Sequence, residues 1–174
     1  MMPSEFLFNK CIEVVLVHEG GYQCNPNDLG NWTESNRTGQ LKGTKYGICA
    51  RYFPLLDIKN LTVAKARDIY HLHYWLPMNL DGILNELSAL HIFDFGVNAG
   101  KRRAIRTAQN IVGVKADGIC GRITTRAINE YNNFVEDYKN VRIQYYKSIA
   151  ERDPQNKTFL KGWLNRVDNT HFNH

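Results

Sequence analysis

Among the 174 residues, Glu19 has the surroundings that point most directly to chemistry. It follows the apolar run Val14-Val15-Leu16-Val17 and His18, and it stands immediately before Gly20-Gly21-Tyr22. A carboxyl on the last turn of an apolar helix meets the negative end of the helix dipole and is shielded from water. Both effects disfavour ionisation. A carboxyl that keeps its proton can protonate the leaving oxygen in glycosidic cleavage, and a glycine pair lets a long polymer approach closely. Position alone also fits a surface glutamate ahead of a helix cap, so the wider sequence has to decide.

Other groups invite a chemical reading. His91, Asp94 and Asn98 fall at i, i+3 and i+7, a polar stripe in an otherwise apolar segment. Left unpaired inside a core they would cost several kcal/mol, on the order of 2–7 each. They therefore either line a wet cleft, with Asp94 and Asn98 as its floor opposite Glu19, or bond into a structural network. Lys101, Arg102, Arg103 and Arg106 crowd one helix start and read as a solvated face or as an attraction for an anionic surface. His71 and His73 point to different faces of a helix and make a poor metal pair. Cys11, Cys24, Cys49 and Cys120 show neither C-x-x-C nor zinc-like spacing and read as free thiols.

The elements that must hold these groups are mainly helical. Phe8, Cys11, Ile12, Val15 and Leu16 make a helical stripe, with Ser4 as its cap and Gly20-Gly21 as its stop. The polar stretch Gln23 to Lys45 is too long for a connector and is a functional loop or a short β-hairpin. Thr62 caps a helix through Val63, Ala66, Ile69, Tyr70 and Tyr74 that Pro77 ends. A buried central helix runs from Leu84 to Val97, then helices over Arg102–Val112, Ile123–Asn132 and Phe134–Arg152, and a last one through Phe159 and Trp163.

Three segments then carry a resemblance. Glu19-Gly20-Gly21-Tyr22, the turn Asn27-Asp28-Leu29-Gly30 with Trp32-Thr33 after it, and Gly43-Thr44-Lys45-Tyr46-Gly47-Ile48 occur in order. Together they resemble glycoside hydrolase family 108, phage endolysins and related muramidases that cleave peptidoglycan. Asp94 to Gly100, Ala116 to Gly121 and Lys161 to Val167 resemble the predicted peptidoglycan-binding region usually fused to that hydrolase. Glu34 to Leu41 are extra residues relative to the compact family loop.

The resemblance implies a lysozyme-like helical fold in two closely packed lobes, a muramidase lobe over 1–93 and a peptidoglycan-binding lobe over 94–174. It implies Glu19 as the catalytic acid. Asp28 is then either the second carboxylate, acting on the attacking water or on the oxocarbenium-like transition state, or an Asx-turn former. Thr44 is the residue expected to hold the water, with Thr33 its rival; Glu34 has no motif behind it. Tyr22, Trp32 and Tyr46 offer faces for sugar rings or for core packing. No metal or organic cofactor is called for.

The partner expected is therefore bacterial peptidoglycan, met by a monomer. Net charge is +5, from 22 basic and 17 acidic residues. Residues 1–90 hold 8 basic and 9 acidic groups, and residues 91–174 hold 14 and 8, so the surplus sits in the second half and suits an anionic envelope. A non-catalytic wall-binding protein is the second reading. A nucleic-acid binder is the last, since it leaves the Glu19 segment unexplained. The opening residues show no basic n-region and no long apolar run, so neither a signal peptide nor a membrane span is expected. Synthesis in a host cytoplasm and passage to the wall through a holin-type pore would follow.

Overall fold

The computed structural model describes the backbone of residues 3–172 and the side chains of residues 5–172. The expected cap Ser4 lies outside the described side chains. The first helix, α1 (Pro3–Glu19), buries Phe8, Cys11, Ile12 and Val15, the stripe that helical spacing dictates. Gly20 stops it in the left-handed conformation, φ 73°.

The chain divides into two compact units, one of residues 15–71 and one of residues 1–14 with 72–174. That partition differs from a boundary at 93/94. The reason lies in the first turns of α1: Phe8 meets Trp75 at 5.5 Å and Phe93 at 6.0 Å, edge to face, which ties the start of the chain to much later elements.

The 15–71 unit contains the long polar stretch, which is both loop and hairpin. Strands β1 (Thr44–Lys45) and β2 (Ile48–Cys49) pair antiparallel, Thr44 opposite Cys49. Tyr46 (φ 51°) and Gly47 (φ 71°) join them, and positive φ at both central residues makes a type I′ turn. Isolated bridges pair Gln23 with Thr44 and Trp32 with Leu41, so the extra residues 34–41 fold back as a second small hairpin. Helix α2 (Val63–Tyr70) follows, capped by the Thr62 hydroxyl, which accepts from the Lys65 N–H at 3.2 Å.

A π-helical turn (His71–Trp75) begins at the last residue of that unit and runs into the short α3 (Leu76–Met78). Pro77 therefore does not end the helical path: it sits in the first turn of α3, where its missing N–H is not needed, and Asn79 (φ 52°) makes the stop. Helix α4 (Glu86–Ala99) is buried from Ser88 through Gly96. Around it lie α5 (Lys101–Ile111), α6 (Arg122–Glu130), α7 (Phe134–Arg152) and α8 (Lys157–Asp168). Tyr146 stacks on Trp163 with ring centroids 5.3 Å apart, packing α7 on α8. The fold is mainly helical and lysozyme-like, with one two-stranded sheet among the described residues. No described helix is long and apolar enough to cross a membrane, and the four cysteines are free thiols.

Candidate active site

Glu19 ends α1 half-buried, and its carboxylate lies against the Tyr46–Gly47 turn. A Cβ added at Gly47 would stand 2.4 Å from Glu19 Oε2 and 2.5 Å from the Tyr70 hydroxyl. Carboxylate, phenol oxygen and turn backbone thus converge on one point. Glycine is required there twice over, by its positive φ and by the absence of room. The Tyr70 O–H donates to the Tyr46 carbonyl at 2.8 Å, which fixes the ring against the same turn. Tyr70 reads in sequence as an apolar helix position; only the packing of α2 on the hairpin brings it to Glu19.

The second cluster is a chain of hydrogen bonds. Gln23 and Asn31 pair amide to amide: Asn31 Nδ2 donates to Gln23 Oε1 at 2.8 Å, and Gln23 Nε2 donates back to Asn31 Oδ1 at 3.1 Å. The Gln23 NH2 also donates to Asp28 Oδ2 at 2.9 Å, and the Thr44 hydroxyl donates to Asn31 Oδ1 at 2.7 Å. Asp28 and Thr44, 16 positions apart in sequence, are the two ends of one bonded set. Asn31 is fully buried at its centre and donates again to the Asn25 carbonyl at 2.9 Å. Neither Gln23 nor Asn31 stands out in the sequence, because their role arises from the bridge between residues 23 and 44.

Asp28 is exposed and does form an Asx turn, its Oδ1 accepting from the Gly30 N–H at 2.9 Å. Each carboxylate oxygen has two lone pairs, so these bonds leave acceptor capacity. Thr44 has spent its only proton on Asn31, which turns its remaining lone pairs toward any incoming donor. Thr33 instead accepts from the Gln40 N–H at 2.9 Å and serves the 34–41 hairpin, as does Glu34, which accepts from the Thr38 hydroxyl at 3.2 Å.

The aromatic candidates are each tied down. Tyr22 is 40% exposed, with its ring over Gly43. The half-buried Trp32 donates its indole N–H to the Pro26 carbonyl at 2.9 Å. Lys45 Nζ sits 5.3 Å from the centroid of the Tyr46 ring.

Asp94 requires a correction. It is fully buried and cannot form a cleft floor. Arg142 Nη2 donates to its Oδ2 at 2.6 Å and Arg166 Nη2 to its Oδ1 at 2.8 Å. Burial alone would raise its pKa, but the two guanidiniums outweigh burial and hold it below the usual carboxylate range. Arg142 also meets His91 Nδ1 at 3.1 Å; burial, then Arg142, push the imidazole down to about 3, so it stays neutral and accepts. The i, i+3 part of the stripe is thus a structural network. Asn98 is exposed and accepts from the Tyr146 hydroxyl at 2.6 Å.

The Asp117–Thr124 loop is also shaped from within. Asp117 accepts from the Ile119 N–H at 2.9 Å and from the buried Gln109 at 2.8 Å, and Gly118 takes φ 82°. The basic residues Lys101, Arg102, Arg103 and Arg106 form an exposed face of α5. No group of three or more His, Cys, Asp or Glu side chains is placed to hold a metal among the described residues.

Comparison with known proteins gives the family. The model of the family described as Glycosyl hydrolase 108 matches residues 12–100, which include Glu19, Asp28, Thr44 and Tyr70. A second family model, Predicted Peptidoglycan domain, matches residues 103–168. Among solved structures, that of Brucella abortus SagA is similar, with 27% identity and a TM-score of 0.74 over 95% of this chain and 92% of that one. Curated proteins give no match. With more than half the chain spanned by the first model and the second following it, the chain belongs to glycosyl hydrolase family 108, with a peptidoglycan domain behind the hydrolase: it is a glycoside hydrolase that acts on peptidoglycan.

Proposed function

We propose that the enzyme is a lysozyme-type N-acetylmuramidase that hydrolyses the β-1,4 bond between N-acetylmuramic acid and N-acetylglucosamine. One observation carries the reading: the Glu19 carboxyl is held beside the Tyr70 hydroxyl against a turn that has no room for a side chain. A proton donor must be fixed to within a fraction of an ångström of the oxygen it serves, and this packing supplies that restraint.

In the proposed reaction Glu19 gives its proton to the glycosidic oxygen as the bond to the anomeric carbon breaks. Water adds to that carbon, donating one hydrogen bond to the Thr44 oxygen and yielding its proton to Asp28. The Gln23–Asn31 amide pair holds those two groups in register. Tyr22, Trp32 and Tyr46 supply faces and hydrogen bonds for the sugars. The biological role that suits this chemistry is an endolysin released to the wall through a holin-type pore.

The test is mass spectrometry of fragments released from purified peptidoglycan by the parent chain and by Glu19→Gln. The parent is expected to leave muramic-acid reducing ends and the variant to release at least a hundredfold less, within the about 10²–10⁴ range for a lost general acid. Absence of such ends would sink the assignment and favour a purely wall-binding protein, and equal release by both would sink Glu19 as the proton donor.

A further inference from the structure

Two adjoining cavities, about 410 and 620 Å³, open on the unit that contains α6 and α7. Both fall within the about 300–1,000 Å³ usual for ligand sites, and they share Leu84 and Asn129 as a common wall. The chemistry proposed around Glu19 uses neither.

Leu84 is 81% exposed yet stands on fixed backbone. Its N–H donates to Asn129 Oδ1 at 2.9 Å, and Asn129 Nδ2 donates to the Gly82 carbonyl at 2.9 Å. A Cβ at Gly82 would come within 2.8 Å of Thr125, so the segment is pressed onto α6. A large apolar side chain displayed from a clamped loop beside a concavity is suited to meet an apolar face.

The polar lining differs between the two ends. The smaller cavity is ringed by Asn85, Asn132 and Asn133 over the buried Ile128 and Phe134. In the described hydrogen bonds Asn85 uses only its carbonyl oxygen and Asn133 only its NH2, which leaves amide donors and acceptors to spare. Hydroxyls and an acetamido group on a ring with apolar C–H faces answer that lining. The larger cavity adds Arg122 and Arg126. Arg126 already meets Glu130 at 2.7 Å, so Arg122 is the cation placed for a carboxylate.

We propose that this groove is a non-catalytic subsite for an uncleaved peptidoglycan strand. It takes an N-acetylated amino sugar at the asparagine end and a stem-peptide carboxylate at the Arg122 end. The inference rests on peptidoglycan being the polymer acted on, and α6 and α7 both fall inside the stretch matched to a peptidoglycan domain.

The test uses the full chain carrying Glu19→Gln, so that the polymer stays intact. Binding is measured by cosedimentation with purified sacculi and by titration with peptide-free glycan strands prepared with an amidase. Leu84→Glu is expected to weaken both by about tenfold or more, the scale on which an interface depends on one well-placed apolar anchor. Arg122→Glu is expected to weaken sacculi alone. Both side chains are exposed, so melting temperatures within about 2 °C of the parent are expected.

Parent-like binding by both variants overturns the groove. Equal weakening of peptide-free strands by Arg122→Glu overturns the stem-peptide assignment, since the carboxylates left on those strands are the lactyl groups that the amidase uncovers. A parent chain that releases no muramic-acid ends, while both variants still bind sacculi more weakly, sinks the muramidase reading and leaves the groove standing.

Discussion

Gly47→Ala separates a strained turn from a misplaced Glu19 carboxyl, the acid in the proposed reaction. The first effect is local. Gly47 has φ 71°, and an L side chain in the left-handed region costs about 1–2 kcal/mol. The second effect is steric. The new methyl would lie 2.4 Å from Glu19 Oε2 and 2.5 Å from the Tyr70 oxygen. Relief to an ordinary van der Waals distance moves the carboxyl by roughly 1 Å, and a misplacement of that size costs about 10²-fold in rate. That corresponds to about 2.7 kcal/mol of transition-state stabilisation.

Gly113→Ala is the matched control, since Gly113 has φ 73° and nothing within 4 Å of its missing Cβ. It carries the backbone strain without the clash. At about 2–4 °C per kcal/mol for a chain of this length, both variants should lose a few degrees of melting temperature. Only Gly47→Ala should lose turnover, read as kcat and KM from reducing ends released from purified peptidoglycan. Should Gly47→Ala melt with Gly113→Ala yet keep more than a third of the parent kcat/KM, the argument that this turn positions the acid fails.

Other outcomes follow from the same geometry. Asn31→Leu strands the Thr44 hydroxyl and the Gln23 amide, costs about 1–3 kcal/mol in a urea melt, and should lower kcat more than it raises KM. Asn31→Asp keeps the acceptor for Thr44 and should recover part of kcat. Asp94→Asn leaves Arg142, which is fully buried, without its carboxylate and should cost about 3–5 kcal/mol in the same melt. The folded His91 pKa of about 3 lies below its ordinary 6.5, so the unfolded chain takes up the extra proton between those values. Stability is then fully present above pH 6.5 and falls as pH drops toward 3, with a slope approaching about 1.4 kcal/mol per unit. Asp94, also held low, adds a loss in the same direction at the acid end. Acid melts of His91→Gln, expected to flatten between pH 6 and 4 (roughly the middle of that window), check the first effect.

Much of the scaffold is legible because it is written in local rules. Helix α7 spans Phe134–Arg152, the bounds that its apolar spacing and Pro154 dictate. Thr62 and Gly20 act as the cap and stop that their chemistry suggests. Site residues on short motifs are legible for the same reason: Glu19 and Gly47 each sit where a helix end or a tight turn must be. What escapes is whatever depends on pairing across the chain. Tyr70 reaches the site only through α2 packing on the hairpin, and Gln23 and Asn31 matter only once residues 23 and 44 are bridged. Asp94 shows the converse error, for its partners Arg142 and Arg166 stand 48 and 72 positions away, where no periodicity can see them.

Those partners also change what the basic second half can do. Counted in sequence, residues 91–174 carry six more positive than negative groups. Yet Arg142 is fully buried and the Arg166 side chain is only 11% exposed, and both guanidiniums point at Asp94, with His91 neutral beside them. Two of the fourteen cations are therefore spent on one carboxylate inside the fold. Charges held that way act on neighbours and little beyond, since surface fields are screened within about 8 Å at physiological salt. We propose that an anionic envelope would instead be met by the exposed α5 face of Lys101, Arg102, Arg103 and Arg106. Reversing charges on that face should alter capture by the wall and its salt dependence, whereas removing Arg142 or Arg166 should alter the stability of the α4–α7–α8 core.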